Sequence, residues 1–511
     1  MSMPTQHIPL AVIGAGTMGI GIAHVAAAAG YQVTLFDSDP SAAVKALAQL
    51  SQRLRQRVAM GKAASDSTEQ LLENIRLATS LQQLADCRLV IEAVAEKLAI
   101  KQSLFRELEA ICNNQTLFAS NTSSLSITAI ASVLHYPRRM AGMHFFNPAP
   151  LMKLVEIVAG LETSDATLNQ LSALAKQWGK HPVQCRSTPG FIVNRVARPF
   201  YAETLRALEE QVADVATLDA VMRDTGGFTM GPLQLTDLIG QDINFAVTQS
   251  VFQAFYHDDR FTPSLLQQEC VAAGHLGRKR GRGFYRYDDQ TPAATAVYQQ
   301  PVTRSTTAEV TLYGDWSALT DFADLLGKCA STAKPADLNR PFATVDNVLV
   351  MLTNGQTASQ LADAHHAPVV LFDLSADYQH APTLTLTAAQ QNRPQDTDSV
   401  IHLLQSCGKQ VIKLPDYPGL LVMRTVAMLV NEALDAVNKR VASAADIDNA
   451  MRFGVNYPRG PLAWGQAIGW QTLLTTLENL HQFYLEPRYR PMPLLRRYAA
   501  GHAAPTSGAE P

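Results

Sequence analysis

The stretch Gly14-Ala15-Gly16-Thr17-Met18-Gly19 constrains what this chain can fold into more than any other. An apolar segment, Ile8 to Ile13, runs into it, and a segment of small, helix-compatible residues, Ile20 to Ala29, runs out of it. Strand, glycine turn and helix in that order make a cradle for a pyrophosphate. The first glycine permits the tight turn, the second lets backbone N–H groups approach the phosphates at the positive helix end, and the third lets helix and strand pack closely. A second apolar run, Gln32 to Phe36, ends in Asp37, about 20 residues on, where a carboxylate takes the ribose hydroxyls of a dinucleotide. The same acid repels the extra phosphate of NADP, and no arginine follows in Asp37-Ser38-Asp39-Pro40. The expected cofactor is therefore NAD, held by Gly14, Gly16, Thr17, Met18, Gly19 and Asp37.

Further along, Arg88 to Val94 and Thr116 to Ser120 read as buried strands separated by helical segments, which predicts a parallel, doubly wound α/β sheet. Ligands of such sheets collect beyond the carboxyl ends of the strands. That places Glu92 and Glu96 after one strand and Asn121-Thr122-Ser123-Ser124 after the next. Between the second and third strands, Ser41 to about Arg57 predicts a helix with Val44, Leu47, Leu50, Leu54 and Val58 on its inner face. Arg53, Arg55, Arg57 and Lys62 at its far end are either a solvated face or a seat for an anionic substrate tail. His144 ends the apolar run Met140 to His144, and Glu156 lies inside Leu154 to Val158. The histidine is either a satisfied core residue or a catalytic base, and an acid among aliphatic residues calls for a partner. Arg278 to Arg282 is the densest basic run, either a solvated loop or a local anion site.

After Val183 the composition turns helical, with a long helical stretch from Thr188 through Asn194, Arg198 and Glu203 to Glu210, and another helix beginning over Asp219 to Asp224. This segment recurs. Pro189-Gly190-Phe191-Ile192-Val193-Asn194-Arg195 returns as Pro418-Gly419-Leu420-Leu421-Val422-Met423-Arg424, and Glu203, Asp219, Gly231 and Gly240 return as Glu432, Asp448, Gly460 and Gly469, at one constant offset. Asn194 becomes Met423 and Arg198 becomes Ala427, so only the first copy keeps polar groups suited to chemistry. The domains expected are a Rossmann-type domain (1–187), a helical domain (188–286), a linker with a reduced α/β unit (287–410), and a degenerate second helical domain with a disordered tail (411–511).

A net charge of -3 gives no reason to expect nucleic acid or an acidic membrane as partner. No apolar run is long enough to span a bilayer, and the first strand opens too soon for a signal sequence, so a cytoplasmic location is expected. Six scattered cysteines without a Cys-x-x-Cys pair indicate neither disulfides nor a metal.

The motifs over residues 8–286 resemble the 3-hydroxyacyl-CoA dehydrogenase family, and the remainder resembles the reduced Rossmann unit and second helical domain of its longer members. The resemblance implies His144 as general base, Glu156 as its orienting carboxylate, and Ser123 and Asn194 as hydrogen-bonding partners of the substrate oxygen. It implies that Glu96, Lys101, Ser123 and Lys279 line the NAD site beside Asp37. The reaction implied is NAD-dependent oxidation of a (3S)-3-hydroxyacyl-CoA, with 3-hydroxyadipyl-CoA of bacterial phenylacetate degradation as the acyl thioester suggested by the long form. A 3-hydroxybutyryl-CoA dehydrogenase and a noncatalytic NAD-binding structural protein are the alternatives. Arg53 stands where a serine is usual, so the CoA contacts stay open. Arg198, one turn after Asn194, either meets a carboxylate at the far end of a short acyl chain or forms a structural salt bridge. Two-domain members dimerise through the helical domain, which leaves two forms of assembly open: a homodimer, or a pseudo-dimer within one chain.

Overall fold

Residues 8–288, 293–304, 308–327, 330–334 and 340–502 are described by a computed structural model. They form two compact units, Met1–Asn194 with Lys439–Val455, and Arg195–Asn438 with Asn456–Pro511.

In the first unit, strands β1 (Leu10–Ile13), β2 (Val33–Phe36), β3 (Ile75–Leu77), β4 (Leu89–Glu92), β5 (Leu117–Ser120), β6 (Met140–Phe145), β7 (Leu154–Ala159) and β8 (His181–Arg186) form one sheet. Its order is β3-β2-β1-β4-β5-β6-β7-β8, so the strand order reverses at β1/β4 beside the glycine loop. Every neighbour is parallel except the antiparallel β6/β7 pair. β1, β4 and β5 are buried at every position, which is why they read as continuous apolar runs. The helix after β2 spans Pro40–Ala59, and the Asp39 carboxylate accepts from Ser41 N–H at its start. Its inner stripe begins at Ala43, not at the expected Val44, which is 57% exposed. Pro40 in the first turn and the Asp39 cap fix the phase, which carries the buried row through Ala43, Leu50 and Leu54.

The far end of this sheet is covered by a helix of the second helical copy, Ala444–Val455. Arg186 N–H donates to Val441 O at 2.8 Å, and Phe453 packs on His181 with ring centres 4.3 Å apart. Gly454 comes so close that a Cβ would sit 2.5 Å from the Leu154 side chain.

The second unit holds a seven-stranded sheet of β9 (Val310–Tyr313), β10 (Ala330–Lys334), β11 (Phe342–Val345), β12 (Val348–Leu352), β13 (Val369–Phe372), β14 (Thr383–Ala388) and β15 (Gln410–Lys413), ordered β10-β9-β11-β12-β13-β14-β15. Residues 287–340 are rich in Thr, Ala and Pro and read in sequence as the linker part of 287–410, but they hold strands and a helix. Val310–Tyr313 is buried at its first two positions and pairs antiparallel with β11, and Thr320–Gly327 is a helix with Phe322, Leu325 and Leu326 in the core. The abundance of Thr and Ala there suits half-buried strands as well as loops. The boundary drawn at residue 410 cuts into β15, which belongs to this sheet.

The turns that open the two helical copies share one backbone conformation. Gly190 and Phe191 have φ of +74° and +47°, and Gly419 and Leu420 have +76° and +47°. The copies diverge immediately afterwards. The long helix expected from Thr188 is two helices, Val193–Val196 and Arg198–Glu209, whereas the second copy runs unbroken over Val422–Asn438. Pro199 lacks the N–H that would continue the first helix, and Met428 occupies the equivalent position in the second copy. The helix expected to begin near Asp219 begins at Val215 and relaxes into a π-turn over Val221–Thr225. Thr225 then hydrogen-bonds β14, through Thr385 Oγ1 at 2.8 Å and Thr383 O at 3.1 Å.

Contacts between the copies are reciprocal. Arg195 pairs with Glu432 at 2.6 Å, and its counterpart Arg424 faces Glu203 at 3.9 Å. Each residue meets the equivalent of its own partner, the pattern of a two-fold interface, here formed within one chain.

Candidate active site

The glycine loop occupies the switch point with the geometry a dinucleotide needs. Gly14 has φ of +97°, and a Cβ there would sit 2.5 Å from Ala93 O. A Cβ on Gly19 would meet Gly14 O at 1.7 Å, whereas the space beside Gly16 is open. Gly16 caps Thr17–Ala28 without any side-chain bond, so the helix presents its first N–H groups unobstructed. Asp37 leaves β2 with its carboxylate accepting from Ala15 N–H at 2.7 Å and Asp39 N–H at 2.9 Å. These residues fit an NAD: a close-approach loop, free helix-start donors and an acid fixed beside them.

Antiparallel pairing sets His144 directly opposite Glu156. The His144 Nδ1 lies 2.7 Å from Glu156 Oε2, with the two residues 6% and 0% exposed. A carboxylate can only accept here, so Nδ1 carries the proton and Nε2 presents a lone pair. Glu156 Oε1 accepts from Ile192 N–H at 3.1 Å and Val193 N–H at 2.9 Å. One buried carboxylate therefore fixes both the imidazole and the turn that leads into Asn194. Phe146 and Phe191 pack against the imidazole at 4.6 and 5.9 Å between ring centres. Asn194 is half-buried amid fully buried neighbours, whereas Met423 is completely buried. The sequence difference between the copies is thus a difference in access.

Glu96 organises the loop after β5. It accepts from Thr122 Oγ1 at 2.5 Å, Ser123 N–H at 3.2 Å and Ser124 Oγ at 3.0 Å. Burial pushes its pKa upward, but the Thr122 bond and the Lys101 charge outweigh this and leave it lowered. Lys101 is 1% exposed, with its ammonium 2.6 Å from Glu92 and 3.1 Å from Glu96. Its charge is spent on two carboxylates, and it holds the loop from beneath. Ser123 stands half-buried on that loop. Sequence reasoning placed Glu92 and Asn121 near the site without a role. Glu92 Oε2 accepts from Ser120 Oγ at 2.6 Å, and Asn121 Oδ1 accepts from Phe145 N–H at 2.8 Å, tying β5 to the strand that carries His144. Buried polar residues at strand ends were the available signal.

Arg53, Lys279 and Arg198 have partners within their own units. Arg53 is exposed on the Pro40–Ala59 helix and donates to Gln49 O at 3.3 Å. Lys279, in the second unit, is paired with Asp242 at 2.6 Å. Arg198, in the same unit, is 5% exposed, donates Nη1–H to Thr248 Oγ1 at 3.0 Å and lies over the Tyr201 ring at 4.9 Å. No carboxylate pairs with Arg198 among the described residues, and burial lowers its pKa. The structural salt bridge considered for it is absent there.

Cys87, Cys112, Cys185 and Cys270 are free thiols, and Cys329 and the tail beyond His502 lie outside the described residues. Among the described residues no helix is long and apolar enough to cross a membrane.

A dinucleotide cradle on a doubly wound sheet, with a carboxylate-held imidazole on the same sheet, defines an NAD-dependent oxidoreductase. Residues 9–188 match the NAD-binding domain of 3-hydroxyacyl-CoA dehydrogenases, 190–287 and 419–509 match their C-terminal domain, and 350–418 match the reduced Rossmann-fold domain of 3-hydroxybutyryl-CoA dehydrogenase. The chain belongs to the 3-hydroxyacyl-CoA dehydrogenase family. It is 48% identical to the 3-hydroxyadipyl-CoA dehydrogenase of Escherichia coli K12 over 96% of this chain and 97% of that protein. It is 41% identical to a probable 3-hydroxybutyryl-CoA dehydrogenase of Bacillus subtilis, over 55% of this chain and 97% of that one. A crystal structure described as the 3-hydroxybutyryl-CoA dehydrogenase of E. coli K12 superposes with a TM-score of 0.88 at 48% identity, covering 98% of this chain and 99% of that one.

Proposed function

We propose that this enzyme oxidises (3S)-3-hydroxyadipyl-CoA to 3-oxoadipyl-CoA, as in phenylacetate catabolism, in the cytoplasm. The observation that carries the chemistry is the His144 Nδ1 to Glu156 bond of 2.7 Å, which leaves Nε2 as the free base. His144 Nε2 takes the proton of the C3 hydroxyl, and Glu156 holds the imidazole during and after that transfer. Bound NAD⁺ supplies the acceptor for the hydride that leaves C3 with its electron pair. Ser123 and Asn194 steady the charge that develops on the carbinol oxygen. Gly14 to Gly19, Asp37 and the loop knit by Glu96 hold the cofactor.

The acyl assignment rests on the name of the E. coli relative and on Arg198. A buried guanidinium without a counter-charge favours a ligand that brings one, and the far carboxylate of an adipyl chain does so. The names of the B. subtilis relative and of the E. coli crystal structure favour the butyryl thioester instead. A comparison of kcat/KM for the two thioesters decides between them. Arg198→Leu is expected to raise KM for 3-hydroxyadipyl-CoA and to spare 3-hydroxybutyryl-CoA; equal effects on both refute the carboxylate role.

A further inference from the structure

We propose that the second unit carries a binding site, without chemistry of its own, for an organic anion: a carboxylate or phosphate borne on an apolar or aromatic body. The site is a cavity of about 670 Å³ beyond the carboxyl ends of the parallel strands β12 and β13, closed by the helices Pro461–Ile468 and Trp470–Tyr484 of the second helical copy. This volume suits a small-molecule ligand, and the strand ends are where open α/β sheets place one.

Two features set the charge of the ligand. Arg340 lines the cavity and, among the described residues, finds only neutral acceptors, Met351 Sδ at 3.1 Å and Leu352 O at 3.5 Å. Burial pushes its pKa down to about 10. Arg459, also in the wall, lies over the Trp464 ring at 4.8 Å and has no acid partner among the described residues. Two carboxylates share the wall, and both are already engaged. Asp321 accepts from Phe322 N–H at 3.0 Å and Tyr378 N–H at 2.8 Å, and the exposed Asp315 accepts from Ser317 N–H at 2.9 Å.

Two wall residues also hold buried polar atoms that no described protein group engages, although both atoms are sealed from the cavity. Trp464 Nε1 and Thr353 Oγ1 are buried polar atoms of wall residues, 2% and 0% exposed, and neither has a partner among the described protein groups. Buried donors of this kind ordinarily have a partner. The Trp464 ring, Leu374 and Ile468 supply the apolar surface for the body of the ligand.

The cavity binds and does not catalyse. The β12 turn, Leu352-Thr353-Asn354-Gly355, has no glycine triplet. Asp373 spends its carboxylate on the backbone of Leu421, Val422 and Met423, at 2.8 to 3.0 Å, with no imidazole on it.

Calorimetric titration of the full-length enzyme with adenosine 3′,5′-bisphosphate, as the phosphate source, and with adipate, as the carboxylate source, tests this. Each is compared between wild type, R340L/R459L and the milder R459Q, with kcat/KM for the hydroxyacyl-CoA as the control. The expected result is saturable binding of one probe, weakened roughly tenfold or more in a variant that keeps its kcat/KM. The probe that binds identifies the head group. No saturable binding of either probe at millimolar concentration overturns the proposal. So does binding that R459Q and the double variant leave unchanged, which places the probe in the catalytic site. The control separates this outcome from failure of the proposed dehydrogenase reaction, because the titration needs no turnover.

Discussion

Replacing Glu156 with glutamine keeps the volume of the side chain and removes half of its accepting capacity. The carboxylate serves three donors at once: Nδ1–H of His144 at 2.7 Å and the N–H groups of Ile192 and Val193 at 3.1 and 2.9 Å. A glutamine has one accepting oxygen and one donating NH₂. If its oxygen stays on the two backbone donors, its NH₂ faces Nδ1, which must then accept, and the ring proton moves to Nε2. If it flips, the imidazole is satisfied and two buried N–H groups lose their acceptor, each at a cost of about 1–3 kcal/mol. The first arrangement forfeits fewer bonds and leaves the base in the wrong tautomer. An inverted tautomer in a comparable acid-oriented imidazole lowers turnover by about 10⁴, roughly 5.5 kcal/mol of barrier at 1.36 kcal/mol per decade. Steady-state NADH formation is expected to fall by roughly three to four decades in kcat. NADH affinity, read by fluorescence titration, is expected to hold, because Asp37 and the glycine loop take no bond from Glu156. A variant within about tenfold of wild-type kcat, with its melting temperature unchanged, would show that Glu156 does not set the tautomer and would refute this reasoning.

Asn194→Ala is expected to lower kcat by an amount equivalent to about 2.7–4 kcal/mol. Met423→Ala, which empties a fully buried site, is expected to spare kcat and lower unfolding free energy by about 2–5 kcal/mol in urea; equal kcat losses would mean the chemistry is assigned to the wrong copy. Asp37→Ala removes the acceptor of Ala15 and Asp39 N–H and is expected to raise KM for NAD by roughly 10- to 100-fold at little cost in kcat, which initial-rate kinetics checks. Burial pushes the thiols of Cys87 and Cys112 up to about 12 and about 11, so iodoacetamide at mildly alkaline pH is expected to spare both in the native enzyme and label them after unfolding, as read by peptide mapping. Truncation after residue 287 removes Glu432 and Asp435 from Arg195, and breaking a buried pair in this way costs roughly 3–5 kcal/mol; a folded, active monomer by light scattering and circular dichroism would contradict the account of the interface.

The features legible in the sequence were those set by local geometry. Gly14 to Gly19, Asp37 and the repeat starting at Pro189 each declare a backbone conformation, and the structure returns it at the stated residues, down to matching φ values in the two copies. The pairing of His144 with Glu156 was harder to read, because it depends on the register of β6 against β7 and on an antiparallel reversal that spacing alone does not encode. What stayed hidden was long-range. β9 and β10 looked like linker because their short runs are recognisable as strands only once paired, β10 with β9 and β9 with β11 at 342–345. Lys101 looked available to a cofactor because nothing local announces that Glu92, nine positions upstream and at the end of a buried strand, holds it at 2.6 Å.

Two helical copies carried in one chain are free to differ at positions that two identical chains would have to share. In a homodimer the residue facing Arg195 beside Glu203 would be the partner's own Arg206, placing cation against cation. Within one chain that position is free to differ, and it is Asp435, whose Oδ2 lies 2.6 Å from Arg195 Nη2. Arg260 joins the same acids at 2.7 and 3.2 Å. The other side has diverged differently: Arg424 lies over Tyr417 at 3.9 Å and Arg206 pairs with Glu486 at 2.8 Å. The two copies are therefore complementary rather than identical. The silent copy also supplies Ala444–Val455 to the sheet that carries His144. Asp373 shows the same separation of roles. It retains the helix-anchoring half of the task performed by Glu156, binding Leu421 and Val422 where Glu156 binds Ile192 and Val193, with no imidazole left to orient. Anchoring a helix start is a requirement of folding and is met in both halves, whereas among the described residues the carboxylate that also holds an imidazole is Glu156 alone of the two.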